Sequence, residues 1–220
     1  MERIFKFDNV DDGTFELLAK TAEPFVRLMS YYRWAMMEID TKFKVLDEEF
    51  SLEHDRNPIS SIKTRLKSLR SLKGKLERKN LSFTIDDIEN NINDVAGIRV
   101  ICPFPEDVYT LANALLKQDD IETVKIKDYI KNPKENGYRS LHIIVAIPIF
   151  LAKEKRIMHV EIQLRTIAMD FWASLEHQLR YKKDAEFTEE MANELYECAK
   201  ISADLDLRME SIRNNVIKNK

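Results

Sequence analysis

The segment R-I-M-H-V-E-I-Q-L-R, residues 156 to 165, constrains the fold more than any other part of the chain. Its apolar and polar side chains alternate, as in a β-strand with one face in a core and one polar face. The polar face carries His159, Glu161, Gln163 and Arg165. A solvent-exposed strand would look similar. However, the neighbouring segments are too apolar to leave an idle polar face, and this favours a functional face.

Helical and strand patterns alternate along the rest of the chain. Helices are predicted over 14–50, with a break near Pro24, and again after Asn57-Pro58, where leucines recur from Leu66 to Leu76. Strands are predicted at 95–102, 123–130, 140–149 and 156–165, and further helices at 86–91, 106–117, 166–182 and 188–217. We therefore predict an α+β fold, a mixed β-sheet flanked by helices with long N- and C-terminal helices. It forms one domain over residues 1–220, with its core at about 55–182.

Composition excludes several classes of protein. The chain has 220 residues, a net charge of −3 and four glycines, and it contains neither of the common Gly-rich phosphate-binding motifs. The lack of a basic excess argues against a duplex-DNA binder, and the longest apolar run, 143–152, is too short to cross a membrane. Cys102 and Cys198 have no zinc spacing and are expected to be buried thiols, which predicts a cytoplasmic protein.

Basic residues are concentrated between Lys63 and Lys79, where Glu77 is the single acid. On a helix, Lys67, Ser71, Lys75 and Arg78 would lie on one face. Exposed lysines are ordinary on helices. In a stripe with so few acids, however, the cations repel one another unless an anion binds. A triphosphate, held by lysine charges and arginine donors, is the natural candidate.

Two carboxylates and one tyrosine extend this picture. Asp94 precedes one predicted strand and Glu161 lies within another, and two such carboxylates suit a Mg²⁺ site for phosphoryl transfer. Asp94 would serve equally as a turn cap. Tyr138, in the loop-to-strand segment K-E-N-G-Y-R-S-L-H, would either stack on a base or pack on the rim of the core. Together these groups describe two nucleotides around one magnesium ion.

Three longer motifs carry a resemblance to a known family. I-N-D-V-A-G-I-R-V-I-C, K-D-Y-I-K-N-P-K-E-N-G-Y-R-S-L-H and V-E-I-Q-L-R-T-I-A-M-D-F-W-A-S-L-E-H resemble the RelA/SpoT-type (p)ppGpp synthetases. The short chain looks like the stand-alone small alarmone synthetases, nearest the RelP type. The resemblance implies a nucleotidyltransferase-like fold that makes stringent-response alarmones. Such an enzyme transfers pyrophosphate from ATP to the 3′-hydroxyl of GDP or GTP and releases AMP.

Motif matching then implies a role for each site residue. Asp94 and Glu161 would hold Mg²⁺, and Glu161 would assist the metal or take the proton of the 3′-hydroxyl. On the ATP side, Arg65 and Arg99 would sandwich adenine, while Lys67, Ser71, Lys75 and Arg78 would grip the phosphates. On the acceptor side, Tyr138 would stack on guanine, with Lys127, Lys134, His142 and Gln163 around the nucleotide.

The last helix carries a 3.5-residue apolar repeat from 191 to 216, which predicts packing against the N-terminal helix or another subunit. The family suggests a homotetramer. Larger family members also hydrolyse the product through a His-Asp pair. The dipeptide His54-Asp55 lacks companion histidines, and we interpret the chain as a synthetase only.

Regulation is expected to differ from the RelQ-type branch, in which pppGpp stimulates the enzyme from a site between subunits. That site is understood to use an aromatic residue, a threonine and an asparagine, and the matching positions here are Ser61, Lys63 and Asp170. A carboxylate facing phosphates repels them, although Lys63 would offset part of that cost. We therefore expect no stimulation by pppGpp.

Two other functions stay open from the residues. A nucleotidyltransferase that releases pyrophosphate onto RNA should carry D-x-D or D-x-E, but Asp94 is followed by Val95 and Ala96. A non-catalytic nucleotide- or RNA-binding regulatory module would not need Asp94 or Glu161, and both are present. RNA binding as such is left open.

Overall fold

The computed structural model describes residues 12–54, 56–180 and 187–218. In this part of the chain, six helices surround a five-stranded sheet. The helices are α1 (Asp12–His54), α2 (Leu69–Arg78), α3 (Ile85–Asn91), α4 (Pro105–Leu116), α5 (Ile167–Arg180) and α6 (Glu189–Lys218). The strands are β1 (Ser61–Leu66), β2 (Ala96–Cys102), β3 (Glu122–Asp128), β4 (Leu141–Phe150) and β5 (Lys155–Thr166). The predicted α+β class, with a mixed sheet and long terminal helices, is confirmed.

The strand order is β1-β2-β5-β4-β3. Strand β2 runs parallel to β5, and the other neighbours are antiparallel. The alternating segment from which the prediction began is therefore the central strand, β5. Its side chains at 158, 160, 162 and 164 are buried, as predicted.

Helices α1 and α4 cover the apolar face of the sheet. Ile39 and Phe43 of α1 and Leu111 and Leu115 of α4 are completely buried in the same core as the sheet residues. Burying such side chains provides most of the driving force for folding. The opposite face of the sheet is left to polar side chains.

Strand β1 corrects the prediction of a helix directly after Pro58. Residues Ser61–Leu66 form an edge strand that pairs antiparallel with β2, so that Leu66 lies opposite Ala96. The helix begins only at Leu69, where the Ser68 hydroxyl accepts a hydrogen bond from the Ser71 amide and caps it. Leucine spacing suggested a longer helix because it is a local pattern. It carries no information on the pairing of an edge strand with a distant segment.

Two further expectations are corrected. Helix α1 continues through Pro24 instead of breaking there. The position is exposed, so water can reach the carbonyl of Lys20 that loses its helical partner. Cys198 is exposed, unlike the buried Cys102.

The apolar repeat on α6 was predicted to pack against the N-terminal helix or another subunit. Met209, Ile212 and their neighbours are about half exposed in the single chain, and packing against another subunit stays a prediction.

Among the helices in the described ranges, none is both long and apolar enough to cross a membrane.

Candidate active site

The strand register places the predicted site residues in two rows on the polar face of the sheet. One row runs across all five strands through Lys63, Arg99, Gln163, His142 and Lys127. The next row contains Arg65, Gly97 and Glu161. Because Gly97 has no side chain, it leaves a hollow between its two neighbours. This hollow is part of a pocket of about 180 Å³, which Lys67 and Asp94 also line.

Asp94 lies just before β2 and is bound by two lysines. Its Oδ2 atom lies 2.7 Å from the Nζ atom of Lys67 and 2.7 Å from that of Lys75. Backbone pairing continues one residue beyond β1, since the Lys67 amide donates to the Val95 carbonyl at 2.8 Å. This bond fixes Lys67 beside Asp94. Lys67 therefore belongs to the strand–helix junction and not to the helix on which it was predicted.

The charge state of Asp94 follows from these contacts. Burial alone would raise its pKa, but hydrogen bonds and charges from Lys67 and Lys75 outweigh burial and hold the pKa below its ordinary value. The carboxylate is ionised at neutral pH. Its second oxygen, Oδ1, is buried and has no hydrogen-bond partner among the described residues. A buried carboxylate oxygen without a partner suits a ligand or a cation.

Helix α2 reaches the edge of this pocket through Lys75, which contacts Asp94. Lys75 follows Ser71 by one helical turn, and no acidic side chain lies in the first turn. The Arg78 guanidinium folds back along the helix over Gly74, since its Nη1 atom would lie 3.7 Å from a Cβ added there. Leu72 and Leu76 anchor the neighbouring side of the helix in the core. The helix thus presents one hydroxyl and two cations beside its buried side.

Glu161 lies at the middle of β5. Its Oε2 atom accepts a hydrogen bond from the Gln163 amide at 3.0 Å, and its Oε1 atom lies 3.7 Å from His142 Nδ1. Burial and the nearby Asp94 raise its pKa, but His142 and Gln163 outweigh them, and the pKa lies below its ordinary value. Glu161 is therefore also ionised at neutral pH. Asp94 and Glu161 both line the pocket, so the two carboxylates share one site.

Tyr138 lies on the other side of His142. Its hydroxyl lies 2.7 Å from His142 Nε2 and accepts a hydrogen bond from the Arg165 guanidinium. Because His142 Nδ1 faces the Glu161 carboxylate, we assign the ring proton to Nδ1, and Nε2 then accepts from the tyrosine. The Lys134 Nζ atom lies 4.7 Å from the centroid of the Tyr138 ring. A tyrosine, a histidine and a lysine therefore cluster as the sequence predicted.

Arg165 is a residue whose importance the sequence did not reveal. It is 4% exposed and donates to Tyr138, to Gln163 Oε1 at 3.2 Å and to Ser140 Oγ at 3.4 Å. The contacts close a ring of five side chains: Tyr138, His142, Glu161, Gln163 and Arg165. Strand alternation had placed Arg165 on the polar face, but only the fold brings it to the tyrosine. This ring holds the orientation of Glu161.

The remaining predicted residues lie at the edges of this arrangement. Arg65 is exposed and lines the pocket, and Lys127 is exposed on the edge strand β3, opposite His142. Arg99 also lines the pocket, but its guanidinium is bound to Asp170 of α5 at 3.2 Å. The side chain of His54 and residue 55 lie outside the described part of the chain.

Comparison with known proteins gives concordant matches. Residues 64–186 match the family described as a region found in RelA / SpoT proteins. The GTP pyrophosphokinase YwaC of Bacillus subtilis (strain 168) is 44% identical over 185 residues, which are 84% of this chain and 88% of that protein. Small alarmone synthetase 1 of Bacillus subtilis, in a crystal structure with its product pppGpp, superposes with a TM-score of 0.80 at 34% identity. That match covers 88% of this chain and 98% of the other. Small alarmone synthetase 2 of Bacillus subtilis gives a TM-score of 0.79 at 40% identity, over 87% and 98% of the two chains.

Proposed function

Since this chain belongs to the RelA/SpoT family and is a (p)ppGpp synthetase, we propose that its pocket beside β1 and β2 binds ATP. The acceptor GDP or GTP would bind on the Tyr138 side of β5. The observation that carries the proposal is the position of Glu161, which lines the pocket and also belongs to the Tyr138 ring of side chains. A group at this position faces both nucleotides.

On the ATP side, the proposal uses the two lysines that neutralise Asp94 in the structure. Lys67 and Lys75 would exchange their contacts with Asp94 for contacts with the triphosphate, joined by Ser71 in the first turn of α2 and Arg78 at its end. Arg65 and Arg99 lie on neighbouring strands and on the same face of the sheet, which suits the two sides of an adenine ring. ATP binding would thereby free Asp94 for another partner.

The acceptor side is built from aromatic rings and cations. Tyr138 and Tyr129 both lie within 5 Å of the Lys134 Nζ atom, measured to their ring centroids. A guanine that stacks on Tyr138 would therefore lie next to a cation able to contact its phosphates. Lys127, His142 and Gln163 form the adjacent part of the row across β3, β4 and β5.

Mg²⁺ is the cofactor in this proposal, with Asp94 and Glu161 as its protein ligands. The residues fit such an ion because the two carboxylates are ionised and Asp94 Oδ1 has no partner in the described part of the chain. The described residues contain no cluster of three or more potential metal ligands, but Mg²⁺ normally takes one or two carboxylates and completes its shell with water and phosphate. When bound, it would neutralise charge on the transferring phosphates.

The chemical step follows from this arrangement. The 3′-oxygen of the acceptor attacks the β-phosphorus of ATP, the bond from that phosphorus to the α–β bridging oxygen breaks, and AMP leaves. Glu161 accepts the proton of the 3′-hydroxyl, and its lowered pKa keeps it in the ionised form that this task requires. Gln163 and His142 hold the carboxylate in place, while the lysines of the ATP side stabilise the phosphate charge.

The test is to incubate the chain with ATP, GDP and Mg²⁺ and to separate the nucleotides. We expect AMP and ppGpp in equal amounts and no AMP when the acceptor is omitted. Pyrophosphate release in the presence of RNA would favour the nucleotidyltransferase alternative. Nucleotide binding without turnover would favour a regulatory module. Replacement of GDP by GTP in the same assay determines the acceptor preference.

We further propose that the chain assembles as a homotetramer. Ile167, Phe171, Leu175 and Leu179 form an i, i+4 stripe on α5 that is 40–67% exposed, and the apolar repeat on α6 is similarly exposed. Apolar surface of this extent is typical of a protein–protein interface. Light scattering at micromolar concentration should give four times the chain mass, whereas a stable monomer would contradict the proposal. A cytoplasmic location is also proposed, because ATP and GTP are cytoplasmic substrates.

A further inference from the structure

Asp170, near the start of α5, connects three strands through one carboxylate. Its Oδ1 atom accepts hydrogen bonds from Arg99 of β2 at 3.2 Å and from Arg165 of β5 at 3.3 Å. Its Oδ2 atom pairs with the Nζ atom of Lys63 on β1 at 3.2 Å. Asp170 is 8% exposed, so these cations replace water as its partners.

The two arginines need this carboxylate because they repel each other. Burial lowers the pKa of Arg99, the charge of Arg165 lowers it further, and Asp170 acts in the opposite direction. Arg165 is buried and keeps other acceptors in Tyr138, Gln163 and Ser140. Arg99 is half-buried, and its Nε atom has no partner among the described residues. If Asp170 lost its charge, Arg99 would therefore be the side chain that moves.

We propose that Asp170 is a positioning residue for pyrophosphate transfer: it holds Arg99 in the ATP pocket and anchors Arg165 beneath Tyr138. One carboxylate then supports both nucleotide subsites, although it lines neither. The inference rests on the proposed function, because it is ATP that Arg99 would contact. Arg165 keeps three other acceptors, so the consequence of losing Asp170 should fall mainly on ATP.

The experiment is a double-mutant cycle with Asp170→Asn and Arg99→Gln. We expect Asp170→Asn to raise the KM for ATP about fivefold, as loss of a charged hydrogen bond typically does, and the KM for GDP by less. In the Arg99→Gln background, Asp170→Asn should change the ATP KM by less than about twofold, because the side chain through which it acts is already gone. Asp206→Asn is the matched control, since Asp206 is another buried acid but bonds the Thr166 hydroxyl and no cation among the described residues.

Additive effects of the two substitutions would overturn the proposal, as would an unchanged ATP KM or an equal rise in the Asp206 variant. If Asp170→Asn alone fails to fold, the double variant should recover folding, because it removes one of the two repelling guanidiniums; no recovery would also overturn it. Binding of a non-hydrolysable ATP analogue, measured by calorimetry, separates this inference from the proposed reaction. A chain that makes no ppGpp would refute the reaction, yet the same cycle on analogue affinity still tests Asp170.

Discussion

Replacing Asp94 by asparagine tests two proposed roles of this residue, as the partner of Lys67 and Lys75 and as a ligand of Mg²⁺. The substitution keeps the size of the side chain but removes the charge that Lys67 and Lys75 both contact at 2.7 Å. It also replaces the carboxylate proposed as a Mg²⁺ ligand by a neutral amide, which is a weaker ligand for this ion. Loss of several kcal/mol of metal-assisted stabilisation lowers kcat by at least about 10²-fold, since each 1.4 kcal/mol corresponds to roughly tenfold.

In the absence of metal, the same substitution should increase the affinity for ATP. If Lys67 and Lys75 bind the ATP phosphates as proposed, ATP has to displace Asp94 from them in the wild type, and in Asp94→Asn this competition is absent. The two lysine side chains are only 13% and 29% exposed, so the competing contacts are not fully screened by water. A gain of about 1 kcal/mol, the upper range for an exposed pair, gives roughly fivefold tighter binding of a non-hydrolysable ATP analogue in EDTA.

The assay combines kcat from nucleotide separation with calorimetry of the analogue in EDTA. Glu89→Gln is the matched control, because Glu89 pairs with Arg156 at 2.8 Å at similar exposure but outside the pocket. Glu89→Gln should change neither kcat nor the affinity for the analogue. A kcat within twofold of wild type would remove Asp94 from the reaction, and weaker analogue binding in EDTA would show that the two lysines do not receive phosphates.

The same variant has a pH-dependent stability. The pKa of Asp94 is lowered in the folded chain, so its ionised form stabilises the fold above the ordinary carboxyl pKa of about 3.9, and this contribution is lost as pH falls through the folded value. Asp94→Asn should therefore have a lower Tm than the wild type at pH 7. The difference should shrink below about pH 4, as followed by thermal denaturation. A difference that is independent of pH would contradict the assigned ion pairs.

Three further predictions concern the acceptor side and regulation. Glu161→Gln should keep the Tm within a few degrees but lower kcat by about 10²-fold or more, as loss of a general base does; near-normal turnover would exclude Glu161 from the reaction. Tyr138→Ala should raise the KM for GDP roughly ten- to hundredfold and leave the KM for ATP nearly unchanged. Tyr138→Phe keeps the ring and removes only one of the acceptors of Arg165, so it should raise the KM for GDP by no more than about fivefold. Equal effects on both substrates would point to a packing role. With GDP below saturation, the initial rate should stay constant or fall when pppGpp is added. Asp170 is already paired with Lys63 and two arginines, and its carboxylate offers no hydrogen-bond donor to phosphates. A several-fold rise in rate would refute this prediction and the resemblance to the RelP type.

The sequence predicted most of the fold because most elements carry their own periodicity. Alternation along 156–165 gave the central strand and both of its faces, and the apolar runs gave β2 and β4. Strand β1 was missed because S-I-K-T-R-L has no buried face of its own: its side chains are exposed or half-buried, and its stability comes from pairing with β2. Pairing between segments about 35 residues apart in sequence leaves no local signal.

For the site, the sequence likewise predicted the grouping of strand residues better than that of helix residues. Side chains on strands fall into register once the faces are known, which is why Arg99, His142, Glu161 and Gln163 could be grouped from alternation and motif alone. Asp170 could not be grouped with them, because it approaches the sheet from α5 and its contacts depend on how that helix packs. From the sequence, Asp170 was expected to repel phosphates, with its charge partly offset by Lys63. In the structure Lys63 does pair with Asp170, and two arginines pair with it as well. Its charge is thus paired with three cations inside the protein, a set of contacts that the sequence alone did not reveal.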